Sequence, residues 1–265
     1  MIKHLRRLYI SLILIFLYAP IAVLIVLSFN ASKSRVVWGG FTLDWYKSLF
    51  TNEIIISAFG TTILLALLSA FIATVIGLMG ALGINYMRRR QTQIMMFFTN
   101  IPLVNADIVT GIALMLWFIK FLPLGFVSVL LAHITFNIPY VILCILPKLK
   151  QVDRSQYEAA RDLGANAKTA FFKIIFPSIL PGILSGFFMA VTLSMDDFVI
   201  TYFTKGAGVN TLSTMIYGEI RKGIKPEMYA LSTVMFFVIL LLLLAVNFLP
   251  ARKKTSKQIT PVEEC

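Results

Sequence analysis

Residues 157–177 read YEAARDLGANAKTAFFKIIFP. The stretch is rich in alanine and alternating charge, is divided by Gly164, and ends on Pro177 at the start of a long apolar run. Alanine and straight-chain charged residues favour helix, whereas a glycine at mid-segment favours a turn. The pattern therefore predicts helix, turn, helix, with Asp162 and Asn166 placed to cap or turn. Ala170, Phe171, Ile174 and Ile175 recur at helical spacing as one apolar face. A segment of this kind is polar enough to leave the hydrocarbon and apolar enough on one side to lie along a membrane surface. By spacing alone, an ordinary interfacial helix satisfies the same pattern.

On both sides of this stretch the chain is too apolar for a soluble domain. Of its 265 residues 58% are hydrophobic and 14% charged, and the mean hydropathy is +0.86. That is the composition of an integral membrane protein. A spanning helix needs about 20 mostly apolar residues, and six stretches qualify: 8–29, 57–84, 94–121, 125–146, 178–203 and 231–249. The first follows Lys3, Arg6 and Arg7 without a small-residue cleavage site, so it is expected to be retained as a helix. The expected fold class is an all-α integral membrane protein with six transmembrane helices. It forms one domain over 1–265, with a core over 57–249, a polar loop over 148–177 and a basic tail over 251–265.

The net charge of +12 is distributed unevenly. With the N-terminus inside, 16 of the 24 Lys and Arg residues fall on the inner side, clustered at the N-terminus, at Arg88–Arg90, in the polar loop and in the tail. This asymmetry predicts cytoplasmic N- and C-termini and contact with anionic lipid headgroups, and it makes nucleic acid an unneeded partner.

Within the fifth span, residues 192–203 read TLSMDDFVITYF. An ionised Asp at a helix centre costs about 2.5–3.5 kcal/mol, so Asp196 and Asp197 need compensation. Three kinds are available: a position near the outer interface, a basic residue on another helix, or a water-filled path that meets a cation. Successive helical residues point about 100° apart, so one carboxylate can face a path while the other bonds to a neighbour. Asp107 is the third embedded acid, on a span marked for a kink by Pro102 and Gly111. No Lys or Arg lies well inside a span, so the embedded charge is negative and favours a cationic substrate. Tyr18, before Pro20 in the first span, offers a ring face to an ammonium group or simply packs. Small residues recur at Gly182, Gly186, Ala190 and Ser194, and at Ala66, Ala70, Ala73 and Gly77; both rows are expected to be packing seams.

Catalytic constellations are missing. The sequence contains no GxxxxGK[ST], no Gly-Lys pair and no HExxH. His4 and His133 are far apart, and His133 reads as a packing or interfacial residue rather than a metal ligand. Cys144 and Cys265 carry no CxxC spacing and no disulfide framework. No enzyme activity, metal or cofactor is expected on this chain.

In the polar loop, Glu158-Ala159-Ala160, Gly164 after three intervening residues, and then Ile174, Phe176 and Pro177 resemble the EAA signature of ABC importer permeases, with Phe176 where leucine is usual. WGGFTLDWYKSLF at 38–50, TLSMDDFVITYF, and KPEMYAL at 225–231 are similar to stretches of the polyamine (spermidine/putrescine) permeases of that family. The resemblance runs over essentially the whole chain. It implies the type I importer (MetI-like) permease fold, and it implies that Glu158, Ala159, Ala160 and Gly164 couple to an ATPase. It also implies four further components: a second homologous permease, two copies of a cytoplasmic ABC ATPase that binds ATP and Mg, and an extracytoplasmic polyamine-binding protein. Residence in the bacterial cytoplasmic (inner) membrane follows, with Asp196, Asp197, Asp107 and Tyr18 as candidates for the substrate path. Because many solutes share the EAA loop, an importer permease for iron or another organic cation remains open, as does a stand-alone secondary transporter that needs no ATPase.

Overall fold

The computed structural model describes residues 2–32, 37–223 and 225–248. The basic tail expected at 251–265 lies outside the described residues. Every element described is helical apart from one isolated bridge between Asn30 and Phe41. In chain order the helices are α1 (Ile2–Ser28), α2 (Asp44–Thr51), α3 (Glu53–Tyr86), α4 (Arg89–Val104), α5 (Asp107–Phe118) and α6 (Phe126–Lys150). They continue with α7 (Arg154–Asp162), α8 (Ala167–Ala170), α9 (Phe176–Asp196), α10 (Val199–Thr204), α11 (Leu212–Lys222) and α12 (Pro226–Phe248).

Among the described residues, five helices are long and apolar enough to cross a membrane, and α4 with α5, bent by 103°, makes a sixth when counted as one span. The third expected span, 94–121, is therefore not a single rod. Asn105 and Ala106 are extended, with ψ of 144° and 133°, and they break the helix three residues beyond Pro102, which itself stays helical.

The polar loop differs from expectation in its second arm. Asn166 accepts the Thr169 N–H at 2.7 Å and starts α8, but α8 does not lie apart from the bundle as a surface helix. It runs through a π turn at Phe171–Ile175, closed by the Phe176 N–H on the Phe171 carbonyl, into α9. The result is one span over Ala167–Asp196, and only 151–166 remains as loop. Ala170 and Ile175 do lie on a buried face, as their spacing predicts.

The core is the mutual packing of α3, α6 and α9. In lipid no hydrophobic force drives helix against helix, so close packing and interhelical hydrogen bonds must do so. Both small-residue rows serve this purpose: Ala66, Ala70, Ala73 and Gly77 are buried on α3, and Gly182, Gly186, Ala190 and Ser194 on α9. A Cβ on Gly77 would stand 2.6 Å from Val141 Cγ1 of α6, closer than carbon atoms approach. Polar pegs cross the same seam. Asn137 Nδ2 donates to Ser194 Oγ at 2.8 Å, and Ser194 Oγ lies 3.0 Å from Ser69 Oγ.

α1 packs on α12, and α5 pairs with α10. At one end of the bundle the Leu212 N–H, opening α11, donates to Thr62 Oγ1 of α3 at 2.9 Å. At the other end α7 lies near Asn85 and Tyr86, the last turn of α3. Thr62 and Asn85 are about 35 Å apart at 1.5 Å per residue, so the two ends stand a hydrocarbon core apart.

Candidate functional site

Two places carry chemistry, one at each end of the bundle. At the α7 end, Asp153 accepts the Ser155 N–H at 3.0 Å and starts the helix. Its last carbonyls are taken up when the Gly164 N–H bonds Arg161 O and the Ala165 N–H bonds Ala160 O, both at 3.0 Å. This crossed pair is a Schellman stop, and it requires the left-handed backbone that Gly164 supplies at φ +86°. Glu158 and Ala159 are exposed and Ala160 is half-buried. The stop also lifts Leu163 to 89% exposure at the tip, a residue that sequence reasoning passed over. A large apolar side chain just before a cap glycine is the signal that would have found it. Between α7 and the ends of α3 and α6 lies a cavity of about 310 Å³, lined by Tyr86, Leu149, Tyr157 and Glu158 among others.

At the other end the acid pair sits on a helix break. Asp196 is the last residue of α9, and Asp197 is extended at ψ 122°. The Asp197 carboxylate turns inward and restarts the helix. Its Oδ1 accepts the Ile200 N–H at 3.2 Å, while Oδ2 accepts the Thr201 N–H at 2.8 Å and the Thr201 hydroxyl at 2.9 Å. His133 Nε2 of α6 lies 3.4 Å from Oδ2, with the two side chains 2% and 8% exposed. The Asp197 carbonyl accepts the Ser213 hydroxyl of α11 at 2.7 Å. The helix break exposes two main-chain donors, and a carboxylate is the side chain that satisfies both at once.

Asp196 points elsewhere. It is exposed, and no described residue pairs with its carboxylate. It lines a cavity of about 520 Å³ together with Phe198, Ser213, Tyr217, Ser232 and Phe236. The Phe198 and Tyr217 ring centroids are 4.3 Å apart, and Tyr202 joins them at 6.0 Å from Tyr217. The guanidinium carbon of Arg221 stands 5.9 Å from the Tyr217 centroid, so this ring already faces one cation. The other acid nearby, Glu219, is engaged: a hydrogen bond from Lys222 at 3.2 Å, with the Lys225 ammonium paired at the same distance, holds its carboxyl below the usual carboxylate range. Asp196 is thus the acid left to meet something from outside.

The structure joins Asp197 to His133 and turns Asp196 into the cavity, and it leaves Tyr18 and Asp107 away from that cavity. Tyr18 is 55% exposed on α1. Asp107 is exposed in the first turn of α5, just beyond the 103° bend, where a carboxylate suits the positive helix end. His133 is the partner that sequence reasoning passed over for the acids. An ionisable side chain inside an apolar run was the available signal.

An all-helical bundle of this length, with an exposed helical arm at one end and a carboxylate-lined cavity at the other, defines a membrane transport subunit. The chain belongs to the family of binding-protein-dependent transport system inner membrane components, whose profile matches residues 73–252. It is a multi-pass component of the inner membrane. Among its relatives, the putrescine transport system permease protein PotI of Escherichia coli strain K12 is 38% identical over 226 residues, covering 82% of this chain and 80% of the relative. The spermidine/putrescine transport system permease protein PotC of Haemophilus influenzae strain Rd is 36% identical, covering 94% of this chain and 97% of the relative. Among solved structures, the bacterial alginate ABC transporter in complex with its alginate-bound periplasmic protein superposes with a TM-score of 0.67 at 17% identity, over 93% of this chain and 91% of that one. The MetNI methionine ABC transporter in an inward-facing conformation superposes with a TM-score of 0.59, over 74% of this chain and 96% of that one. The MetI-like permease fold is therefore shared.

Proposed function

We propose that this chain is the permease subunit of an ATP-driven importer that carries polyamines, spermidine or putrescine, into the cytoplasm. The observation that carries the substrate is the Asp196 cavity: an unpaired carboxylate in one cavity with the Phe198 and Tyr217 rings suits an alkylammonium chain, which needs both anionic and aromatic contacts. The putrescine and spermidine permeases among its relatives support the same substrate. A flexible polycation has more than one charge, so a second, homologous permease supplies the rest of the path.

In this reading the α7 end is cytoplasmic, as are both termini. Glu158, Ala159, Ala160 and Gly164, with Leu163 at the tip, seat on one of two copies of an ABC ATPase, which holds the ATP and Mg. An extracytoplasmic binding protein delivers substrate at the α11 end. This chain itself hydrolyses nothing. ATP closes the ATPase pair, α7 moves with it, and the span over Ala167–Asp196 carries the movement to the acid corner. Substrate and ATPase are coupled because each favours one of the two arrangements.

The test is uptake of labelled spermidine and putrescine in a strain lacking this chain. Wild type should restore uptake and Asp196→Asn should not. If wild type restores none with its ATPase and binding protein present, the polyamine assignment falls.

A further inference from the structure

We propose that His133 is a positioning residue for the acid corner, acting on the transport path through Thr201 and Asp197 without touching what passes. The Thr201 hydroxyl has one proton and two partners, Asp197 Oδ2 at 2.9 Å and His133 Nε2 at 2.8 Å. An ionised carboxylate only accepts, so Thr201 donates to Asp197 and must accept from His133. That assigns a proton to Nε2 of the imidazole. A relay results, running from His133 on α6 through Thr201 on α10 to Asp197 at the end of α9, with His133 Nε2 itself 3.4 Å from Oδ2.

The relay bridges the helix break between α9 and α10. α6 belongs to the packed core with α3 and α9, and α10 lies against it. His133, 2% exposed, is therefore a fixed reference from which the break between α9 and α10 is held. Asp196 precedes that break directly, so its aim into the cavity depends on how Asp197 is held. His133 does not line the cavity, so its effect there is indirect. Without the imidazole donor, the Thr201 hydroxyl is free to turn to the Asp197 main-chain oxygen, 3.5 Å away, and Oδ2 loses a partner.

This inference rests on the reading of the Asp196 cavity as a polyamine path. The experiment uses the assembled importer in lipid nanodiscs and proteoliposomes, with His133→Leu, which has no donor, and His133→Gln, which has an amide N–H of similar reach. Each is made alone and on Asp197→Asn. Loss of the His133 hydrogen bond to the Thr201 hydroxyl predicts that His133→Leu raises the KM for spermidine uptake about tenfold while the ATPase still co-purifies. His133→Gln should stay near wild type, and His133→Leu should add little on Asp197→Asn, because its target is already altered. If Gln behaves as Leu does, or if the His133 and Asp197 effects multiply, His133 only fills space and the inference is overturned. Absence of polyamine uptake by wild type is a separate result that removes the transport reading. The relay is then read from the isotope-edited infrared band of the Asp197 carboxylate, which His133→Leu should shift and His133→Gln should not; an unshifted band in His133→Leu overturns it.

Discussion

Asp196 and Asp197 share a peptide bond but not an environment. The Asp197 carboxylate holds the Ile200 and Thr201 N–H groups at 3.2 and 2.8 Å, while the Asp196 carboxylate opens on a cavity of about 520 Å³. One acid closes a helix break, and the other is left available.

The two amides should therefore fail differently. Asp197→Asn turns a donor toward groups that are themselves donors and costs about 1–3 kcal/mol, visible as a lower unfolding midpoint in detergent. Asp196→Asn should leave the midpoint within about 0.5 kcal/mol of wild type and lower uptake instead. The reverse order would exchange the two roles.

Gly164 separates the turn from the charge. At φ +86° with open space around it, it tolerates asparagine better than a β-branched residue. Gly164→Asn should keep most uptake, and Gly164→Val should lose about 1–2 kcal/mol of local stability. Gly164→Asp should insert normally yet uncouple, scored as ATPase activity that substrate no longer stimulates. Normal ATP-driven uptake by Gly164→Asp would remove the coupling role from this loop.

The seam between α3 and α6 predicts a rescue. Gly77→Ala places a methyl group against Val141 and should reduce folded yield, and Val141→Ala in the same chain should restore it. A double variant no better than the single one would mean that the helices part for another reason.

Ser194→Ala should destabilise the bundle more than Ser69→Ala. Ser194 serves both Ser69 and Asn137, and Asn137 Oδ1 is already buried without a partner among the described residues. At about 0.6 kcal/mol for each interhelical bond, thermal unfolding of the two variants should differ by roughly that amount.

Much of this was legible in the sequence because lipid imposes simple rules. Long apolar runs disclosed the spans, and the small residues from Ala66 to Gly77 and from Gly182 to Ser194 disclosed the seams. The arm at Glu158–Gly164 was legible because a cap glycine has a local cause. A kink in this span was legible from Pro102 and Gly111, but its place at Asn105–Ala106 was not, because both residues are ordinary and Pro102, the obvious breaker, is not the breaking point. The division between Asp196 and Asp197 was not legible either. It depends on His133 and Thr201, which lie 64 residues before and 4 residues after Asp197 in the numbering and meet only through packing.

The π turn at Phe171–Ile175 offsets the azimuth of one end of the long span from the other. A turn of this kind holds about one residue more than an α-helical turn, which offsets the helical phase on its two sides by roughly 100°. The direction in which α7 presents Glu158 is thus set separately from the direction in which α9 presents Gly182 to its neighbours. Adding or removing one residue within the turn would swing α8, and the α7 arm with it, around the axis of α9 while α9 stays seated, so the bearing of the loop can change without recutting the bundle.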